Sequence, residues 1–220
     1  MQTHCNICGG ADFGPGPLGR MSHTLLPPRC RKCGSLERQR AQHAILQAIP
    51  PGLFAKRKCL QVSRDPALDP TRFAAFEVSI HGRENSLDLE KIDRPNGSYD
   101  YIAMNHVLEF VRDDRKAFTE LLRILTGDGI LQIGFSNALG RAETVHSDGG
   151  SGPFKHFHLF GRDVAHYFET SKLAVSILVV TAADPVTDAP ETVHFFCRRA
   201  QTCDGIRRML KIWMDDVVLG

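Results

Sequence analysis

Four cysteines near the start of the chain are spaced for metal chemistry. C-N-I-C places Cys5 and Cys8 in one tight turn, and C-R-K-C places Cys30 and Cys33 in a second, with positions 9–29 between them. A C-x-x-C turn presents two sulfurs to one side, so two such turns supply the four soft ligands of a tetrahedral zinc. Four thiolates leave no open position for water, which makes such a zinc structural rather than catalytic. His4 and His23 are further donors nearby, but the four cysteines already complete a shell. A redox pair is the competing use of C-x-x-C, though it ordinarily occurs once and opens a helix. A module over 1–35 buries too little apolar surface to fold unaided, so the metal would supply much of its stability. Arg29, Arg31, Lys32, Arg38 and Arg40 surround the second turn. They read either as a phosphate-binding patch for RNA or a nucleotide-linked substrate, or as a solvated basic face. A net charge of only +2 favours the solvated face.

The remaining chemistry needs a larger frame. The chain has 220 residues and is 42% hydrophobic, enough for one medium domain with a small appendage. No apolar run approaches the roughly 18 residues that span a bilayer, and M-Q-T-H-C-N-I-C-G-G lacks the pattern of a secretory signal. Two C-x-x-C pairs among seven cysteines fit a reducing compartment better than a disulfide framework. The expectation is a soluble cytoplasmic protein with no membrane contact.

From position 34 the pattern alternates between helix and strand. GSLERQRAQHAILQAIPPG predicts a helix capped by Ser35, with Arg38 at N3, an apolar stripe through Ala41, Ile45 and Ile49, and a stop at Pro50. Strands are expected at 58–63, 77–80, 98–105, 129–135, 173–180 and 191–200, the last two as a hairpin. Helices are expected at 69–76, 113–125 and 161–171. The clearest is 113–125, with Phe118, Leu121, Leu122 and Leu125 at i, i+3, i+4 and i+7 behind Asp113 and Asp114. This alternation argues for an α/β fold, a Rossmann-like, doubly wound, mostly parallel sheet over 36–200. Such sheets take ligands beyond the carboxyl ends of their strands, here residues 63–68, 80–89 and 104–109. A final amphipathic helix over 201–220 puts Ile206, Met209, Leu210, Trp213 and Val217 on one face, for core packing, a homodimer or a protein partner.

YDYIAMNHVLEFVRDDRKAFTELLRILTGDGILQIGF resembles the heart of the class I S-adenosylmethionine-dependent methyltransferases: NHVLEF (105–110), DDRKAF (113–118) and TGDGILQIGF (126–135) correspond to that class's H-V-L-E-H, D-D-x-x-A and P-G-G segments. The resemblance spans about 57–199. The four cysteines followed by GSLERQR are similar to a subgroup with an N-terminal zinc knuckle. HFHLFGRDVAHYF (156–168) looks like the same subgroup, with His158 where an arginine stands. The resemblance implies a seven-stranded-type sheet with an antiparallel last strand, S-adenosylmethionine as cofactor and a structural Zn2+. SRDP (63–66) replaces the usual G-x-G turn and is a variant of the subgroup's A-P-E-P, so Val62, Ser63 and Asp65 would face the methionine part. The acidic residue that ends the second strand and holds the ribose is missing, leaving His81 and Glu84 nearby. Asp88 and Leu89 would flank the adenine, and Asn105 would meet the methionine amino group.

Methyl transfer from a sulfonium needs alignment, exclusion of water and removal of a proton. His106 is the candidate general base because its ordinary pKa is near neutral. It reads equally as a ring packed over adenine or as a turn cap. Glu109 reads as a framework residue. His146, His156, His158 and His166 suit substrate contact or packing, since no acidic or thiolate partner completes a metal site. SDGGSGPFKHFH (147–158) is the natural lid and acceptor-specifying loop. Three functions follow: a methyltransferase on a small-molecule or sugar-like acceptor, an RNA or protein methyltransferase guided by the basic module, or a non-catalytic descendant used for binding and assembly.

Overall fold

The computed structural model describes residues 4–83, 85–136, 138–148, 156–170 and 172–211. The chain opens with two short paired strands, β1 (Phe13–Gly14) and β2 (Arg29–Cys30). The two C-x-x-C turns close alike: Gly9 N–H donates to Cys5 O and Gly34 N–H donates to Cys30 O, each at 2.8 Å. Both glycines have positive φ, 72° and 78°, a conformation that side chains resist. A glycine directly after each cysteine pair is what lets the turn close.

Helix α1 (Glu37–Ala48) follows, but its N-cap is Leu36 rather than Ser35. Gln39 occupies N3, and its side-chain oxygen accepts from Leu36 N–H at 2.7 Å. Ser35 is buried among the cysteines, its Oγ 3.2 Å from Cys33 Sγ and 3.4 Å from Cys5 Sγ. The sulfurs have taken the hydroxyl that the sequence reading assigned to the helix.

The main sheet begins with β3 (Lys58–Val62), β4 (Ala75–Ser79), β5 (Tyr99–Asn105) and β6 (Leu125–Gly134), all parallel. After a small hairpin, β7 (Val145–His146) with β8 (His158–Leu159), the sheet ends in β9 (Ser176–Ala183) and β10 (Pro190–Cys197). The order is β4-β3-β5-β6-β10-β9, with β10 antiparallel to both neighbours. This is the mostly parallel, Rossmann-like sheet with an antiparallel closing strand. It has six strands among the described residues.

Side chains alternate along each strand and build two cores. On one face Tyr101, Ala103, Phe195 and Cys197 pack under α1 and a last helix, described over Ala200–Lys211. On the other face Ile102, Met104, Leu131 and Phe196 pack under α2 (Asp114–Ile124). Helix α2 forms as read: Asp113 accepts from Lys116 N–H at 3.0 Å, and Phe118 and Leu121 are fully buried. The last helix buries Cys203, Ile206 and Leu210, so the described part of the C-terminal stripe is core. Trp213 and Val217 lie outside the described residues. No helix among them is long and apolar enough to cross a membrane.

Two expected helices are largely replaced. Over 69–76 there is a single turn, Pro70–Arg72, before β4 begins at Ala75. Arg72 explains it, donating to Leu46 O and Ile49 O at 2.6 Å each, and stacking over Phe54. That residue closes the open carbonyls at the end of α1, and the segment bends to reach them. Over 161–171 the helix shrinks to α3 (Val164–Tyr167), followed by turns with Glu169 at φ 50° and Ala174 at φ 52°. Those turns also delay β9 to Ser176.

Arg40 fixes the cysteine module to this sheet. It is fully buried, with Nε and Nη2 each 2.7 Å from the carboxylate of Asp184, itself buried in the β9–β10 turn. Its Nη1 donates to Pro28 O and Ser35 O at 2.8 and 3.0 Å. Arg20 adds a two-bond pair with Glu37, and Thr24 Oγ1 donates to Thr187 O. Arg40 therefore leaves the expected basic patch altogether. Arg31 pairs with Asp12 and Lys32 donates to Cys8 O, which fits a balanced solvated face better than a phosphate-binding one.

Candidate functional site

The four cysteines converge. Their sulfurs lie within 4.8 Å of one another, with Cys5 and Cys33 3.7 Å apart and Cys8 and Cys30 3.6 Å apart. Zinc–sulfur bonds of about 2.3 Å place tetrahedral corners roughly 3.8 Å apart, so the cage has the dimensions of a four-thiolate zinc site. It is the one such cluster of metal-binding groups among the described residues. The histidine-rich segment does not form a second: His146 Nδ1 lies 3.0 Å from His158 Nδ1, and His158 Nε2 donates to Val111 O. His156 packs on Phe110 at 4.6 Å, and His166 is exposed on α3.

A second group of residues gathers at the carboxyl ends of β3 and β5, which run side by side. After β3 the chain moves outward to β4, and its return places β5 on the other side of β3, so the switch point lies between β3 and β5. Asp65 and Asn105 meet across it, Asn105 Nδ2 donating to Asp65 Oδ2 at 3.2 Å. Asp65 also accepts from Ala67 N–H at 2.8 Å, and its backbone carbonyl accepts from Gln61. A carboxylate and an amide thus brace the turn in place of glycine, while Ser63 adopts φ 67° and gives its N–H to Ser79 O. Burial pushes the Asp65 carboxyl up against the pull of Ala67 N–H, Asn105 and Arg38.

Asn105 Oδ1 and His106 Nε2 are buried without a hydrogen-bond partner, as are Gln42 Oε1 and Glu109 Oε2. A native interior rarely leaves such atoms unpaired, and together they mark where a ligand's polar groups belong. Gly134 makes the close approach feasible: a Cβ there would sit 2.6 Å from Asn105 Oδ1 and would press into Gln42 Nε2. His106 has φ 53°, its N–H bonds Gly134 O at 2.8 Å, and its Nδ1 lies 2.5 Å from Ser136 Oγ. Burial, with Arg38 and His156 nearby, pushes its pKa down to about 3, so the ring is neutral at neutral pH but, before any ligand binds, a weaker base than the near-neutral value expected from sequence would make it.

The other sequence candidates are more dispersed. Val62 is core, and Leu89 is buried in the α2-side cluster rather than lining a groove. His81 is exposed in a turn, and Asp88 is exposed, accepting from Glu90 N–H at 2.9 Å. Strand β4 ends on buried Ser79, so among the described residues no carboxylate stands at its carboxyl end, and Glu84 lies outside them. Glu77, the acid within β4, is taken by Tyr99 OH and Arg94. Gln42, Gly134 and Ser136 were missed. For Gln42 the available signal was a glutamine interrupting an apolar helical stripe.

The strand order and the antiparallel closing pair are those of a Rossmann-like fold. A family described as methyltransferase domain matches residues 69–133, from the turn before β4 into β6. Among solved structures the chain is similar to a methyltransferase of Thermotoga maritima at 14% identity, over 73% of this chain and 89% of that one, with a TM-score of 0.49. It is similar to the Burkholderia thailandensis 1,6-didemethyltoxoflavin N1-methyltransferase, bound to its substrate and S-adenosylhomocysteine, at 12% identity over 73% and 77%, TM-score 0.49. A methyltransferase of Aquifex aeolicus matches at 15% identity over 71% and 89%, TM-score 0.46. No curated protein matches the chain.

Proposed function

We propose that the chain transfers a methyl group from S-adenosylmethionine to a small-molecule or sugar-like acceptor, with a structural zinc in its cysteine cage. The observation that carries this reading is the pair of unpartnered buried atoms, Asn105 Oδ1 and His106 Nε2, at the switch point between β3 and β5. Asn105 Oδ1 is an acceptor suited to the cofactor's ammonium group. Ser63, Asp65 and Asn105 would hold the methionine end, and His81 and Asp88 the nucleoside end. The bound cofactor supplies an electrophilic methyl whose bonding pair returns to sulfur. The chain's own contribution is to align the acceptor, exclude water and take its proton at His106. Cys5, Cys8, Cys30 and Cys33 would hold the zinc, with Ser35 beside two of the sulfurs.

One observation favours the second reading, a methyltransferase-like binding or assembly protein. Ser79 stands where a carboxylate would hold the ribose, and the His81 imidazole offers at most one acceptor where a carboxylate accepts two bonds. Calorimetric titration with S-adenosylmethionine and S-adenosylhomocysteine separates the two. Micromolar binding, weakened about tenfold by Asn105→Ala (one lost hydrogen bond to a charged group), supports the enzyme. Absence of heat and of any thermal shift at millimolar ligand would leave the scaffold reading standing.

A further inference from the structure

Ser136 stands between His106 and Glu109. Its hydroxyl lies 2.5 Å from His106 Nδ1, and its N–H donates to Glu109 Oε1 at 2.7 Å. The outer atoms of this row, His106 Nε2 and Glu109 Oε2, are the unpartnered ones. The His106 backbone is held in the left-handed region, a conformation that costs a non-glycine residue about 1–3 kcal/mol and clusters at functional sites.

A neutral imidazole carries one N–H and one lone pair, so the group at Nδ1 decides what Nε2 can do. If Nδ1–H donates to Ser136 Oγ, the lone pair lies at Nε2. The Ser136 hydroxyl then needs an acceptor of its own, and the buried Glu109 carboxyl, which already takes the Ser136 N–H at 2.7 Å, offers one. We propose that Glu109, Ser136 and His106 form a relay that holds His106 in the Nδ1–H tautomer and makes Nε2 the atom that removes the acceptor's proton. The proposal deepens the reading of His106 as general base and rests on it.

In that step the acceptor's O–H or N–H bond breaks, its proton passes to Nε2, and its bonding pair stays on the heteroatom that attacks the methyl. The imidazolium so formed is steadied through Ser136 by Glu109, and the proton returns to solvent after product leaves. Ser136 and Glu109 are positioning residues. The other charged or titratable groups acting on the ring are Arg38 from α1 and His156 ahead of β8.

The tautomer can be read without turnover. Long-range proton–nitrogen spectra of protein labelled with 15N-histidine distinguish a protonated ring nitrogen from a bare one, and His106→Asn identifies the signal by removing it. The expected result is Nδ1 protonated and Nε2 bare, changed to Nε2–H in Ser136→Ala and retained in Ser136→Thr. In turnover, Ser136→Ala lowers kcat about 10²-fold, the low end of what a positioned base contributes, with the cofactor KM unchanged and Ser136→Thr restoring the rate. An Nε2–H ring in the unmodified protein, or a Ser136→Ala ring with the original tautomer, overturns the relay. So does a rate loss that threonine fails to restore. Failure to bind S-adenosylmethionine would instead overturn the enzyme reading, leaving the spectral result to stand by itself.

Discussion

Replacing Asp184 with alanine strips the buried Arg40 guanidinium of its charged partner. Two 2.7 Å bonds disappear, and only Pro28 O and Ser35 O remain as acceptors. Thr187 also loses the carboxylate that receives its N–H and Oγ–H. Both charged side chains are fully buried, so water cannot fill the gap without opening the junction. Breaking such a pair from one side costs about 3–5 kcal/mol, against about 5–15 kcal/mol for a whole domain. For a chain of this size that is a fall of roughly 6–20 °C in Tm. Denaturant unfolding of the single variants and of Arg40→Met with Asp184→Leu gives a double-mutant cycle. The double variant should recover much of the loss, because it leaves no buried charge unpaired. A single-variant loss below about 1 kcal/mol, the worth of an exposed pair, would refute the idea that this contact anchors the cysteine module.

Purified protein should carry one zinc per chain by elemental analysis. Chelation should lower its Tm at least as far as Asp184→Ala does, and Cys30→Ser should abolish retention of the metal. Burial pushes His194 down to about 4, so the unfolded chain takes up that proton first and stability falls as pH drops from 6.5 to 4. The loss attached to this residue is about 3 kcal/mol, and His194→Phe should flatten the unfolding free energy over that window by that amount. Gly134→Ala should cost about 1–3 kcal/mol by overpacking Gln42 and Asn105, with a matching loss of cofactor affinity by calorimetry.

What the sequence disclosed was local. Helix α2 was legible because its cap and its apolar stripe lie within thirteen residues, and β3 and β5 because their apolar runs are short and bounded. The cysteine cage was legible from spacing alone. The turn at 69–76 was not, since its form depends on Arg72 reaching carbonyls 26 and 23 residues earlier in the chain. Gln42, Ser136 and Asp184 were hidden for the same reason: each acts only on residues brought near by the sheet. Arg40 misled, because a basic residue beside other basic residues looks like surface until its buried partner is known. The bracing of the turn after β3 by Asp65 and Asn105 was hidden too, because it needs both strands in register.

The anchoring contact joins residues 144 positions apart. A ribosome adding about 5–20 residues per second delivers Asp184 roughly 7 to 29 s after Arg40. Through that interval the amino-terminal segment has no sheet to rest on, and its long arginine points into water. The cysteines should therefore be able to take up a metal early in synthesis, whereas locking of the module comes late. Any truncation ahead of the β9–β10 turn should give a chain whose cysteine module is still tied to α1 but not locked to the sheet.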